Sequence, residues 1–513
     1  MIAVLLAAFP ILLILALMLG WHWNSARAGV AGWLAGLIIA GLAFGANAPL
    51  LAWAHVRATF LAGTVLFIIW GALLFYRVTE AAGAVQAMSE VLTRISPHRA
   101  FQALLLAWGF ASFLQSVGGY GVPVAVVAPL LAGIGFPPLA SFVMASVGHT
   151  WAISFGSLGA SFKTLQGVTN VPSAELALWS ALLLGVLCLI TGAASLWIAG
   201  GKTALRQGGA PMLLMGIAMA GGQWLTVRAG EYEIAAMIGA LAGLLVGVGW
   251  AILQKRPTLP AHSGVLLRKA LLPYLLLLIL IFAARVEGIK AGLEIVPPLV
   301  EPEHPALTTS SGWTVPDVQE NRISLLSHTG ALLLYASLLT WLYGRRRGEI
   351  AKGQGRQVWR KVTRSALTPT LSIVAMMALA TTMEYAGMID LLARGLARAA
   401  GGLFPLVSPF IGALGAFITG SNTNANALFG TLQRDTALAL KLAAPLILAA
   451  QTVGGGIGST FAPAKVALGC STVGLEAQES DAMRALLKYQ LLALGVIAAL
   501  TFGLSRLTLL IAP

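Results

Sequence analysis

Charge is scarce in this chain of 513 residues: only 10% of them are Asp, Glu, Lys or Arg, against roughly 25% in an average soluble domain. Hydrophobic residues make up 58%. A fold of this length needs charge to cover a water-facing surface. A soluble enzyme, a disordered chain and a nucleic-acid binder are therefore excluded. Cysteine is nearly missing too. Cys188 and Cys470 stand far apart, in or beside apolar segments, and give neither a disulfide framework nor a metal site. His and Cys show no metal-ligand spacing. There is no GxxxxGK(S/T) phosphate loop, so an ATP-driven pump would need a partner subunit. No Ser/His/Asp arrangement can be argued, and the arginine-rich spans of a voltage sensor are absent. An enzyme lacks its nucleophile here, and no cofactor is implied.

Long apolar runs take the place of charge. They fall near 2–20, 28–46, 58–76, 174–199, 210–227, 232–253, 266–284, 327–343, 366–385 and 487–511. A helix needs roughly 20 apolar residues to cross the hydrocarbon core, so the length accommodates roughly 11 to 14 spans. The expected fold is an all-α polytopic integral membrane protein whose solvent is the lipid bilayer. Met1–Gly20 has no preceding Lys or Arg and no small-residue cleavage site, and reads as a retained first span.

The formal net charge of +14 fits cytoplasmic loops that collect Lys and Arg. Residues 344–364 hold Arg345, Arg346, Arg347, Lys352, Arg356, Arg360, Lys361 and Arg364 against Glu349. That loop is expected inside. One span earlier, 285–326 carries Glu287, Glu294, Glu301, Glu303, Asp317 and Glu320, six of the eighteen acids, and is expected outside. Lys255, Arg256, Arg268 and Lys269 return inside, the 228–231 turn falls outside, and Lys202 and Arg206 fall inside. Reading on to the start puts Arg77, Arg94, Arg99 and Arg27 inside and the N-terminus outside.

Two regions differ in kind, 100–170 and 404–475: both are apolar but broken by Gly, Ser, Thr, Asn and Pro. Open backbone at membrane depth is tolerated only where it is buried in protein or lines a wet cavity. The regions resemble each other. His149–Lys163 reads HTWAISFGSLGASFK and Gln451–Lys465 reads QTVGGGIGSTFAPAK, with five of fifteen positions identical, the final Lys included. Phe113-Leu-Gln-Ser sits where Phe417-Ile-Thr-Gly sits. Paired, interrupted segments in corresponding halves point to the binding site of a secondary transporter. The chain accordingly divides into N-terminal scaffold spans (1–99), a first broken-helix transport repeat (100–170), scaffold spans (171–284) and the extracytoplasmic loop 285–326. Scaffold spans 327–399 with the basic cytoplasmic loop 344–364, a second broken repeat (400–475) and a C-terminal span (476–513) complete it.

Four clusters could carry chemistry. Gln115-Ser-Val-Gly-Gly-Tyr-Gly-Val-Pro123 cannot hold a regular helix. Ser116, Gly119, Tyr120 and Gly121 with Gln115 either bind a carboxylate at a half-helix end or mark close packing between spans. Thr419-Gly-Ser-Asn-Thr-Asn-Ala-Asn426 puts six hydroxyl or amide side chains among eight residues between apolar spans. Thr419, Gly420, Ser421, Asn422, Thr423, Asn424 and Asn426 suit a small hydroxylated or carboxylated solute. The repeated segments supply His149, Thr150, Ser157 and Lys163, and Gln451, Thr452, Ser459 and Lys465. Each lysine either pairs with an anionic solute or snorkels to the interface. His149 is either a packing histidine or a proton carrier.

At these residues the chain resembles the L-lactate permease family of bacterial monocarboxylate transporters. FASFLQSVGGYGVPVAVVAPLLAGIGF (110–136), FITGSNTNANALFGTLQ (417–433) and QTVGGGIGSTFAPAKVALGCSTVGLEAQESDAMR (451–484) match its three motifs in order. Weaker similarity extends over most of the chain and includes Ser327-His-Thr-Gly330. The resemblance implies a proton-coupled carrier of lactate, glycolate and related 2-hydroxy acids in the bacterial plasma membrane, built from two inverted repeats with re-entrant hairpins. The chain departs from the family at three places. Gln115-Ser116 replaces a typical Glu-Gly, Asn422 replaces the Asp of Gly-Ser-Asp, and Ala462-Pro463-Ala464 replaces Ser-Pro-Gln. An amide keeps hydrogen bonding and loses titration. Ser421-Asn-Thr423 also resembles motifs of sodium-coupled dicarboxylate carriers.

The reading is therefore a secondary transporter for a small organic anion, L-lactate or a related 2-hydroxymonocarboxylate, with H+ or Na+ as the coupling ion. The half-sites 115–123 with 149–163 and 419–426 with 451–465 are expected to face each other near the midplane. The alternatives are a sodium-coupled carrier of another anion such as a dicarboxylate, and an anion channel.

Overall fold

The computed structural model describes residues 2–96, 98–119, 121–254, 263–303, 305–315 and 322–511. Tyr120, Lys255, Arg256, Asp317 and Glu320 lie outside the described residues. The chain is helical almost throughout. Among the described residues, strand pairing is confined to Leu299–Val300 with Arg322–Ile323 and a bridge from Thr308 to Thr314. Among the described residues, ten helices are long and apolar enough to cross a membrane, eleven if one bent pair is counted as a span. The apolar runs 174–199 and 210–227 join in Ser173–Arg228, which loses helical geometry at Gly200 and Gly201. At 56 residues and 1.5 Å of rise per residue, it is long enough for two crossings.

Local chemistry sets the helix ends. Asn47 caps Ala48–Ala81 by accepting from the Leu50 N–H at 3.0 Å, and Gly45 closes Ser25–Phe44 with φ +70°. Proline stands in the first two positions of Val122–Gly133, Pro138–Gly148, Phe404–Thr419, Ala444–Thr460 and Pro463–Ser471. There its missing N–H deprives the helix of nothing, and its fixed φ starts the turn. The many Pro residues of the broken regions thus restart helices rather than prevent them.

The two broken regions have the same order of elements. The first runs through a helix to Val117, Val122–Gly133, Pro138–Gly148 and Gly156–Thr169. The second runs Phe404–Thr419, Asn422–Ala439, Ala444–Thr460 and Pro463–Ser471. In each, two helices form a hairpin and the next two form one bent path. The first bends by 51° between Pro138–Ala152 and Gly156–Thr169, and the second of these helices is itself broken at Ser157, Leu158 and Gly159, all with φ between +49° and +77°. In both regions the first hairpin arm lies against the helix that opens the bent path, through glycine. A Cβ at Gly148 would overlap the Ala107 carbonyl, and one at Gly454 the Pro409 carbonyl.

Contacts sort the loops into two ends. At one end, the Ser310 N–H donates to Gly45 O at 2.9 Å, Arg57 meets Glu301 at 3.5 Å, and Arg285 meets Glu231 at 2.7 Å. At the other end, Lys361 of the basic loop meets Glu80 at 3.5 Å. Gly83 there lies against the Lys269 side chain. The first hairpin follows on from this second end, and its two legs are tied where Arg99 donates to Gly135 O at 2.9 Å. The second hairpin has its base at the first end: Gly387, one helix (Met388–Ala400) before it, lies against Trp313 of the 285–326 segment and bonds Glu384 O. Arg434 on its return arm meets Glu384 at 3.1 Å. The hairpins therefore enter from opposite ends. Around them, Ala48–Ala81 lies along Gln354–Tyr385, which also holds Ser25–Phe44.

Candidate functional site

The tip of the second hairpin is a two-residue turn. Gly420 takes φ +70°, and Ser421 is extended and caps Asn422–Ala439, its Oγ accepting from the Asn424 N–H at 3.4 Å. Thr419 is turned back onto its own helix, donating to Gly415 O at 2.8 Å. The first turn of Asn422–Ala439 is buried, with exposures of 3% at Asn422, 5% at Thr423 and 3% at Asn424. A helix start in that setting offers N–H groups and a partial positive charge to the protein interior.

Side chains from both repeats converge beside this turn. Thr452 Oγ1 accepts from Asn422 Nδ2 at 3.1 Å and from Asn426 Nδ2 at 2.9 Å. Asn426 also donates to Ser161 O at 3.0 Å. The Ser161 and Thr423 hydroxyls lie 2.9 Å apart, and Ser154 donates to Thr452 O at 3.0 Å. On the other face of the helix, Asn424 donates to Ser372 Oγ at 2.6 Å. Gln490 bridges the repeats a turn away, donating to Thr150 Oγ1 at 2.9 Å and Thr460 Oγ1 at 2.8 Å. The centre holds hydroxyls and amides and no formal charge. The side-chain oxygens of Asn422, Asn424 and Asn426 are buried without a hydrogen-bond partner.

The other residues singled out by sequence lie around this centre. At the first hairpin tip, Gly119 has φ +55°, and a Cβ there would overlap Ser157 Oγ. Gln115 lies against Gly156. The two breaks of the first repeat are thus in direct contact, which requires glycine at 119. Gly121 has φ +87° and precedes Val122–Gly133. Ser116 donates to Phe113 O at 2.7 Å, and Thr150 to Ser146 O at 3.1 Å. The His149 Nδ1 lies 2.6 Å from Ala145 O, a bond within its own helix. Gln451 accepts from Gln433, which also binds Ser408.

The duplicated lysines part company. Lys465 donates to Ser459 Oγ at 3.2 Å. Lys163 donates to Tyr232 Oη at 2.9 Å, lies over that ring at 5.1 Å, and stands 3.9 Å from Glu233. Lys163 also lines a cavity of about 990 Å³ with Asn170, Glu233, Arg285, Arg322 and His328. The cavity lies at the end of the molecule that holds the 285–326 segment. Its cationic lining and volume can take a small anion.

Ser154, Ser161, Ser372 and Gln490 in the centre, and Tyr232, Glu233 and Arg285 at the cavity, were missed by sequence reasoning. An amide within the last apolar run marks Gln490, and an acidic turn beside a span marks Glu233. The serines carry no local signal that separates them from packing residues. Among the described residues, no group of three His, Cys, Asp or Glu could hold a metal ion.

The chain matches the L-lactate permease family over residues 3–508. It is 27% identical over 478 residues to an L-lactate permease of Bacillus subtilis, covering 85% of this chain and 84% of that one. Its identity to the glycolate permease GlcA of Escherichia coli is also 27%, over 479 residues, with 85% and 84% covered. The fold is similar to that of Neisseria gonorrhoeae MtrF, with a TM-score of 0.52 at 16% identity over 95% of this chain and 96% of that one. The chain belongs to the L-lactate permease family and is a multi-pass transport protein of the bacterial inner membrane.

Proposed function

We propose that the chain carries L-lactate and related 2-hydroxymonocarboxylates such as glycolate by ion-coupled symport, alternating access around the centre at Thr452. One observation carries this reading. Two broken segments entering from opposite ends share an uncharged hydrogen-bonding centre in an otherwise apolar bundle. Buried polar groups need partners, and a carboxylate with an adjacent hydroxyl offers both acceptors and a donor. The helix N–H groups at 422 and 423 are the donors, joined by the amides of Asn422 and Asn426 when these exchange Thr452 for the substrate. Lys163 and Lys465 are the compensating charges, because a carboxylate entering a low-dielectric site needs one. The names of the relatives, lactate and glycolate permeases, support the substrate class.

A proton is the first reading of the coupling ion. Sodium is the second, favoured by the unpartnered oxygens of Asn422, Asn424 and Asn426. Unwound segments in secondary transporters supply oxygen ligands to ions. Uptake of labelled L-lactate into liposomes holding the purified protein separates these readings. Saturable, trans-stimulated uptake driven uphill by an inward proton gradient is expected. Flux linear in concentration would make the protein a channel, and drive by sodium alone would replace the ion.

The charge distribution sets the orientation of this carrier, with 285–326 outside and 344–364 inside. A single cysteine at Ser311→Cys should react with an impermeant reagent applied to whole cells, and one at Lys352→Cys should not. The reverse labelling would invert the carrier and put the Lys163 cavity on the cytoplasmic side.

A further inference from the structure

We infer that Glu233 is the proton-coupling residue of this carrier: it holds Lys163 while the cavity is empty and takes up a proton when the substrate carboxylate draws Lys163 away. The inference rests on the transport reading above and adds to it the group that titrates.

The centre at Thr452 contains no carboxyl, so a proton carried with the anion needs an acid elsewhere on the path. Glu233 is the acid lining the 990 Å³ cavity among the described residues. Its side chain is 13% exposed, so its ionised form depends on a neighbouring cation. Two ion pairs stand side by side here, and they differ in strength. Arg285 holds Glu231 through two contacts, 2.7 Å from Nε and 2.9 Å from Nη2. Lys163 stands 3.9 Å from Glu233 and gives its hydrogen bond to Tyr232 instead. The second pair is the separable one. An incoming carboxylate competes for the Lys163 ammonium without breaking a bidentate bond.

Geometry also joins this pair to the broken segment of the first repeat. Lys163 sits in the half-helix that follows the left-handed break Ser157–Gly159. Gly159, with φ +77°, lies so close to Glu233 that a Cβ there would stand 2.9 Å from the Glu233 Cα. A change at the break therefore alters the spacing of the pair. The groups facing Glu233 are Lys163 from the half-helix, Tyr232 and Glu231 from its own turn, and Arg285 with Lys290 beyond the next span. Arg322 and His328 complete the charged and titratable lining of the cavity.

The step balances as one proton per anion. A hydronium ion reaching the cavity gives its proton to the Glu233 carboxylate and leaves as water, as substrate binds Lys163. When the anion leaves on the other side, Lys163 returns and Glu233 gives the proton to that compartment. Net transport of a monocarboxylate is then electroneutral.

The test compares two readouts in liposomes for wild type and Glu233→Gln. One is counterflow of labelled L-lactate without an ion gradient, and the other is accumulation driven by an inward proton gradient. In E233Q the ratio of accumulation to counterflow should fall about tenfold or more, because a gating role alone would lower both together. Its counterflow should also lose the pH dependence that a titrating carboxyl gives. Glu233→Asp, which keeps a titrating carboxyl, should recover accumulation. An unchanged ratio in E233Q overturns the inference. Loss of both readouts in E233Q, with no recovery of accumulation in E233D, also overturns it and leaves Glu233 as a structural partner of Lys163. Absence of counterflow in the wild type would refute the transport reading itself.

Discussion

Thr452→Val is expected to remove most L-lactate uptake while the protein remains in the membrane. Valine has nearly the shape of threonine, so packing is kept and one hydroxyl is lost. That hydroxyl oxygen accepts from Asn422 and from Asn426, at 3.1 Å and 2.9 Å. Asn426 retains Ser161 O as a second acceptor, and among the described residues the Asn422 amide donates to Thr452 alone. Leaving a buried donor unsatisfied costs about 1–3 kcal/mol, roughly a five- to 150-fold change in an equilibrium that depends on it. The effect falls on transport because this hydroxyl ties the start of the Asn422–Ala439 helix to the Ala444–Thr460 helix at the shared centre. Thr452→Ser restores the oxygen and should recover uptake. Transport by T452V at the wild-type rate, at equal membrane abundance, would remove the centre from the site.

Gly454→Ala is expected to lower stability more than any exchange at the polar residues. The helices Phe404–Thr419 and Ala444–Thr460 touch backbone to backbone. A Cβ at Gly454 would overlap Pro409 O, one at Gly458 would overlap Ala413 O, and one at Gly412 would overlap Gln451 O. The obstructing atoms are backbone, so no rotamer change relieves the overlap and a whole hairpin arm must shift. Overpacking a core costs about 1–3 kcal/mol and occasionally more, and between spans it also removes the van der Waals contact that drives their association. The thermal unfolding midpoint in detergent should drop for G454A, with little protein reaching the membrane at growth temperature. Gly221→Ala is the control, since nothing lies within 4 Å of a Cβ at that helical position. An unfolding midpoint equal to that of wild type in G454A would mean the two helices are not apposed in this way.

Much of the molecule was legible from one dimension. Hydropathy reports burial in lipid directly, so the spans and the scarcity of charge could be read without a fold. The breaks at 118–121 and 419–421 were marked by glycine and polar residues because φ is a property of single residues. The Asn-rich turn at 422–426 stood out for the same local reason. The tertiary structure alone decided which of these residues meet. Ser161 bonds Thr423 across 262 positions, and Ser154 bonds Thr452 across 298. Lys163 and Lys465 share a place in a sequence repeat, yet among the described residues Lys163 reaches an acid, 70 residues further on at Glu233, and Lys465 a hydroxyl at Ser459. The reason is physical. A repeat copies the local path of the chain, and the two copies enter from opposite ends, so each lysine meets whatever scaffold lies at its own end. What surrounds a side chain depends on helix packing, and no period or spacing along the chain encodes it.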